Sequence, residues 1–267
     1  MTDPVRTDAV LLSNSAEHSG SLYSYAAEAM AEAAAGRPVT FIPFALADWD
    51  AYTHRVERAF ADMGLELTSA HHAPDLATAI LEAEVVMVGG GNTFRLLDTL
   101  QELDVLDRLA DRVHAGTTTY LGASAGTSIA GPTIRTSNDM PIRHPRTLDA
   151  LGVVPFQINA HFVDADPDST FMGETREQRI EEFLEDNDAT VFGLYEGSYL
   201  RIRGTTVTLH GRGRLFERTG FRIVADGETL PFEAFRRPRF DVAGWSSPLA
   251  AAWAANGPAD VAPAAQA

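Results

Sequence analysis

The stretch Tyr120-Leu121-Gly122-Ala123-Ser124-Ala125-Gly126 runs from apolar residues into a serine flanked by alanines and, one position further out, by glycines. It reads as a strand, a sharp turn and the start of a helix over 125–130, which Gly131-Pro132 stops. The small neighbours have a steric reason. A serine at the tip of a strained strand-to-helix turn leaves no space for bulky side chains, and its hydroxyl is pushed out of the sheet edge. The free N–H groups and positive dipole end of the helix point to the same place, which suits an oxyanion. A glycine-rich turn packed tightly for its own sake has the same short pattern, so the surrounding chain must decide.

Upstream of this turn, apolar runs at 9–13, 39–43, 65–69 and 85–88 read as buried strands, and they alternate with helical patterns at 21–35, 50–63, 74–83, 93–100 and 105–115. Strands alternating with helices across short loops predict a mainly parallel sheet covered on both faces. Ligands of such sheets lie at the carboxyl ends of the strands, so Gly89-Gly90-Gly91-Asn92-Thr93 and Ser124 are expected to face one site. The triple glycine lacks the Gly-Lys-Ser/Thr ending of a phosphate loop and the spacing of a dinucleotide fingerprint. Its N–H groups read instead as further oxyanion donors, with a flexible strand-to-helix joint as the plainer alternative. Beyond Pro132 come a polar loop at 133–145, a run at 148–158 leading into Asn159-Ala160-His161-Phe162, and a helix at 174–187. From Ala189 short strands with glycine turns, at 191–194, 199–203, 207–210, 214–216 and 221–224, read as an antiparallel edge added to the parallel sheet. One domain is expected over 1–240, with the Ala- and Pro-rich 241–267 as a partly mobile C-terminal extension.

Composition narrows the chemistry. A net charge of −16 without clustered cations argues against a nucleic-acid surface. All 21 cations are arginine, which excludes a lysine Schiff base, and the absence of cysteine excludes disulfides, thiolate catalysis and Cys-ligated zinc. The nucleophile is therefore a hydroxyl or a carboxylate. No cofactor or metal is expected, because no helix carries paired histidines at ligand spacing. The polar, acidic start of the chain and the lack of an apolar run of membrane-span length predict a cytoplasmic protein that engages no membrane.

A serine becomes a nucleophile beside a base, and the base needs an acceptor to hold its tautomer. Seven of the eight histidines, His18, His54, His71, His72, His114, His144 and His210, fall in helices, charged stretches or turns and read mostly as solvated. His161 follows the apolar run 153–158 at a strand end, where the site belongs. Two carboxylates are candidate acceptors: Asp139 in Asn138-Asp139-Met140-Pro141, and Glu196 in Tyr195-Glu196-Gly197-Ser198. Both stay open, since each also reads as a turn residue or cap. The α/β-hydrolases share Gly-x-Ser-x-Gly, but Ser124 and His161 stand only thirty-seven positions apart, too few for the elements that normally intervene.

The blocks Leu12-Ser13-Asn14-Ser15, Gly89-Gly90-Gly91-Asn92-Thr93-Phe94, Gly122-Ala123-Ser124-Ala125-Gly126, Asn138-Asp139-Met140-Pro141, Asn159-Ala160-His161-Phe162, Gly173-Glu174-Thr175-Arg176-Glu177 and Gly193-Leu194-Tyr195-Glu196-Gly197, in this order, resemble the peptidase E (aspartyl dipeptidase) family over about 10–224. The stretch after about Arg236 finds no counterpart. The resemblance implies a three-layer α/β/α sandwich of the class I glutamine-amidotransferase type, with a serine where amidotransferases place cysteine. It implies Ser124 as nucleophile, His161 as base and Glu196 or Asp139 as third member, beside the oxyanion donors read above, the N–H groups of Gly90, Gly91 and Ala125. The activity implied is a serine dipeptidase cleaving Asp-X peptides through an ester, by a monomer or homodimer acting on small peptides. A cyanophycinase-like hydrolase of aspartyl-arginine units and a non-catalytic small-metabolite-binding protein of the same fold are the alternatives. A chain this acidic needs a local cation for an aspartate side chain, and without lysine that cation is arginine. The matched blocks offer Arg135, Arg143, Arg176 and Arg179, of which Arg176 is preferred for its place at a helix start. Asn92 and Arg135 are further candidates for substrate binding.

Overall fold

The computed structural model describes residues 6–16, 21–168, 170 and 172–236; His18 and the extension expected at 241–267 lie outside the described residues. Strands β1 (Asp8–Leu12), β2 (Val39–Ile42), β3 (Leu67–Ser69), β4 (Val85–Val88) and β5 (Thr119–Ala123) alternate with helices α1 (Ala27–Ala34), α2 (Trp49–Asp62), α3 (Leu76–Glu82), α4 (Thr93–Glu102) and α5 (Leu106–His114). There follow α6 (Ala125–Ser128), β6 (Gln157–Phe162), α7 (Arg176–Asp186), β7 (Val191–Tyr195), β8 (Tyr199–Arg203), β9 (Thr206–His210), β10 (Gly213–Glu217), β11 (Gly220–Val224) and β12 (Thr229–Pro231). Side-chain caps fix several helix starts: Asp48 accepts from Ala51 N–H, Asn92 from Arg95 N–H, and Thr175 and Gln178 form a reciprocal capping box on α7. The helix expected from residue 21 instead opens with a 3-10 turn at Ser24–Ala26 after Tyr23 takes a positive φ of 62°.

Eight strands form the main sheet in the order β12-β9-β8-β1-β5-β4-β2-β3, of which β1 to β5 are mutually parallel. Burial on both faces explains the all-apolar Val85-Val86-Met87-Val88, every residue of which is buried. Along β1 the side chains alternate between two cores: Ala9 and Leu11 pack with Ile80, Leu96 and Leu109 of α3, α4 and α5, while Val10 and Leu12 pack with Met30, Val56 and Phe60 of α1 and α2. The three-layer sandwich expected above is thus present.

The antiparallel part needs one correction. Only β8, β9 and β12 extend the edge of the main sheet. The other late strands make a second sheet, β11-β10-β7-β6, in which β6 and β7 are parallel. Period-2 alternation marks a strand but not its partner, so sequence alone cannot divide one series of hairpins between two sheets. Phe192, Leu194 and Leu215 of the second sheet join the larger core, and Phe162, Val191 and Phe216 pack against Ile180 and Leu184 of α7. Among the described residues no helix is long and apolar enough to cross a membrane.

Candidate active site

Ser124 follows the last residue of β5, between the ends of β1 and β4: Ala123 pairs with Leu12, and Gly122 with both Leu11 and Val88. Its backbone is held at φ 53°, ψ −109°, a conformation an L-residue adopts only when its surroundings enforce it. The turn around it is packed too closely for side chains. A Cβ on Gly126 would come within 2.1 Å of the Val88 carbonyl oxygen, and one on Gly122 within 2.7 Å of the Gly126 carbonyl oxygen. Ser124 N–H donates to Leu12 O at 3.0 Å, and Thr127 Oγ1 donates to the same region of backbone, 2.6 Å from Leu12 O. The short helix α6 begins on the next residue, as the serine-turn reading requires.

The Ser124 hydroxyl lies 2.8 Å from His161 Nε2, and His161 Nδ1 lies 2.6 Å from Glu196 Oε1. These two residues come from the second sheet, at the ends of β6 and β7. Between Asn159 and Phe162 the register of β6 against β7 slips, with Asn159 opposite Gly193 and Phe162 opposite Tyr195, so β6 carries one extra residue in a bulge. His161 sits in it with φ 57°, and the bulge turns its ring toward the main sheet. Glu196 occupies the first central position of a tight turn closed by Ser198 N–H to Tyr195 O at 3.2 Å, with Gly197 at φ 74° in the second. A positive φ there calls for glycine, which accounts for Glu-Gly.

Two residues at the end of β1, not assigned a role from sequence, tie the sheets together. Ser13 Oγ accepts from His161 N–H at 2.8 Å and donates to Leu194 O at 2.7 Å, and Asn14 Oδ1 accepts from Gly197 N–H at 2.9 Å. The signal available was a pair of buried polar residues ending an apolar strand.

The other candidates fall elsewhere. Asp139 does not reach His161; its Oδ2 accepts from Thr93 N–H at 2.7 Å and from the Thr93 hydroxyl, at the start of α4. Asn92 is absorbed in capping α4 and in donating to Met140 O at 2.8 Å. Gly90 N–H donates to the Tyr52 hydroxyl at 2.7 Å and so is already engaged, whereas Gly91 and Ala125 N–H have no acceptor among the described residues. Burial pushes the Tyr52 hydroxyl above its ordinary pKa, so it meets Gly90 as a neutral phenol.

A cavity of about 300 Å³ lined by Asn14, Tyr52, Arg55, Gly91, Ser124 and Glu196, among others, opens at Ser124. Arg176 does not line it but lines another of about 570 Å³, with Asn138, Asp164 and Arg179. Burial lowers the pKa of the Arg176 guanidinium, neighbouring Arg179 adds to this, and the carboxylates of Asp139 and Glu196 oppose it. Among the described residues Arg176 has no ion-pair partner, while Arg143 pairs with Asp98 at 3.7 Å and Arg179 with Glu174 at 3.5 Å. Arg135 is exposed on the loop before Asp139 and lines neither cavity. Arg55, which stands over the Tyr52 ring at 5.4 Å, is a cavity cation that sequence reasoning missed because nothing in its helix repeat sets it apart.

The sequence model of Peptidase family S51 matches residues 9–210. The chain belongs to that family. It is 46% identical over 236 residues to "Peptidase E" of Streptomyces coelicolor, covering 87% of this chain and 97% of that protein. It is 39% identical to the "Probable alpha-aspartyl dipeptidase" of Drosophila melanogaster, covering 79% and 90%. Among solved structures, a peptidase from an acI-B1 Actinobacterium superimposes with a TM-score of 0.61 over 85% of this chain and 97% of that one; at 11% identity this likeness shows the fold.

Proposed function

We propose that this member of the family is a cytoplasmic serine dipeptidase that hydrolyses Asp-X peptides, with Ser124 as nucleophile, His161 as general base and Glu196 as the residue that orients it. The observation that carries this reading is the unbroken hydrogen-bonded line from Ser124 Oγ through both nitrogens of His161 to Glu196 Oε1 at the mouth of a cavity. Names of relatives that include aspartyl dipeptidase support the substrate class.

In this mechanism Ser124 Oγ attacks the carbonyl carbon of the N-terminal aspartate while His161 Nε2 takes the hydroxyl proton. Glu196 keeps the other ring proton on Nδ1 and balances the imidazolium. The carbonyl oxygen gains negative charge, which the Gly91 and Ala125 N–H groups, without an acceptor among the described residues, are assigned to stabilise. Collapse breaks the peptide C–N bond, and His161 returns its proton to the departing amine. Water, deprotonated by the same histidine, then cleaves the aspartyl ester and frees Ser124.

Asp139, held by Thr93, belongs in this scheme to the scaffold of α4 rather than to the triad. The half-buried Arg176, which has no ion-pair partner among the described residues, is the cation proposed for the aspartate side chain, with an arginine fork suited to a carboxylate. The test is release of free aspartate from a panel of Asp-X, Asn-X, Glu-X and Ala-X dipeptides by the purified chain. Turnover confined largely to Asp-X is expected, and equal rates across the panel would contradict the substrate assignment.

A further inference from the structure

A second cluster of functional side chains lies at the start of α2, outside the cavity lining. His71 and His72 end a 3-10 turn, Ala70–His72, that follows β3, and the Nε2 atom of each stands 3.0 Å from the same Asp50 Oδ1. The two rings are 4.0 Å apart between centroids, and the three potential ligand atoms all lie within 4.8 Å of one another.

Three features point to a metal cation. The first is convergence: the Nε2 atoms of both histidines turn to one carboxylate oxygen, Asp50 Oδ1, each at 3.0 Å. The second is spacing: with bonds of about 2.0 to 2.1 Å, adjacent ligand atoms of a tetrahedral zinc ion are about 3.3 Å apart, so the two Asp50–histidine distances need open by only a few tenths of an ångström. The third is the support around the ligands. The His71 side chain is 10% exposed and set against Trp49, with ring centroids 5.8 Å apart, and Ser69 Oγ lies 2.6 Å from its far nitrogen, Nδ1, which fixes the orientation of the ring. Asp50 and His72, at 84% and 56% exposed, are free to adjust and leave water access to the remaining position.

We propose that Asp50, His71 and His72 form a three-ligand site for a divalent transition metal of the zinc class, completed by water. Two imidazoles and one carboxylate favour zinc, copper or nickel over magnesium or calcium. The site joins the first turn of α2 to the end of β3, and α2 carries Tyr52, whose hydroxyl accepts from Gly90 beside Ser124. Its role is to brace that helix, and it takes no part in the hydrolysis.

The experiment is calorimetric titration of the chelator-treated full chain with Zn²⁺, run alongside thermal melts with and without the ion. One Zn²⁺ per chain, with a rise in Tm, is expected for the parent. Asp50→Asn and His72→Ala, both changes at exposed side chains, should each weaken binding by at least about tenfold while leaving the metal-free melt near that of the parent. Absence of binding by the folded parent at roughly millimolar Zn²⁺, or stoichiometric binding that both variants retain, would overturn the site. Neither outcome bears on aspartate release, so this proposal and the dipeptidase reading fail separately.

Discussion

The two sheets hold their shares of the site by different means. Ser124 follows the central strand of the main sheet, in a turn where Gly126 packs against Val88 and Gly122 against Gly126 too closely for any side chain, and its backbone stands at φ 53°, ψ −109°. His161 and Glu196 stand at the rim of the second sheet, with side chains 38% and 63% exposed, and are placed by a bulge, a tight turn and the polar bonds of Ser13 and Asn14. Steric packing fixes the serine, and directed hydrogen bonds fix its partners. Changes of volume should therefore damage the first region, and changes of polarity the second.

The largest effect is expected from Ser124→Ala, which should lower kcat/KM by about four to six powers of ten with an unchanged melt; near-normal aspartate release would remove the nucleophile. Next comes Glu196→Gln, expected to cost about 10²- to 10⁴-fold in kcat because the amide cannot hold the same tautomer and charge. Asp139→Asn should stay within about tenfold in rate and show itself instead as about 1 to 2 kcal/mol of lost stability at the start of α4. Comparable rate losses in the two variants would erase the distinction drawn between these acids.

Substrate selection gives the next scale. Arg176→Met should lose about 2 to 5 kcal/mol of transition-state binding on Asp-X and little on Asn-X. Should the selective loss appear in Arg55→Met instead, the cation belongs to the Ser124 cavity itself. Gly126→Ala tests the steric side of the comparison: a methyl placed 2.1 Å from Val88 O has to displace backbone, at a cost of about 1 to 3 kcal/mol or more in a denaturation curve. The smallest effect concerns metal. Chelator should leave the rate of aspartate release within about twofold, since every step of the hydrolysis is assigned to side chains and backbone N–H groups.

The first 130 residues were legible because each parallel strand is buried on both faces and each helix shows its own period, so local pattern and final place agree. The serine turn was legible for the same reason, since steric necessity writes Gly and Ala directly into the chain. Sequence placed His161 and Glu196 at strand ends but could not choose between Glu196 and Asp139. That choice depends on the bulge at Ala160-His161 and on Ser13 and Asn14, which are 148 and 183 positions away from the groups they hold. The division of the late strands into two sheets was hidden likewise, as were Arg55 and the approach of Asp50 to His71 and His72. Each of these is a meeting of residues distant in sequence, for which neither periodicity nor motif carries a mark.

The most direct test of the site is to quench turnover of an aspartyl anilide with acid and map the trapped protein by mass spectrometry. An aspartyl ester confined to the peptide carrying Ser124, present in the parent and absent in Ser124→Ala, is the predicted result. Aspartate release that proceeds with no ester at Ser124, or with the adduct on another residue, would contradict it.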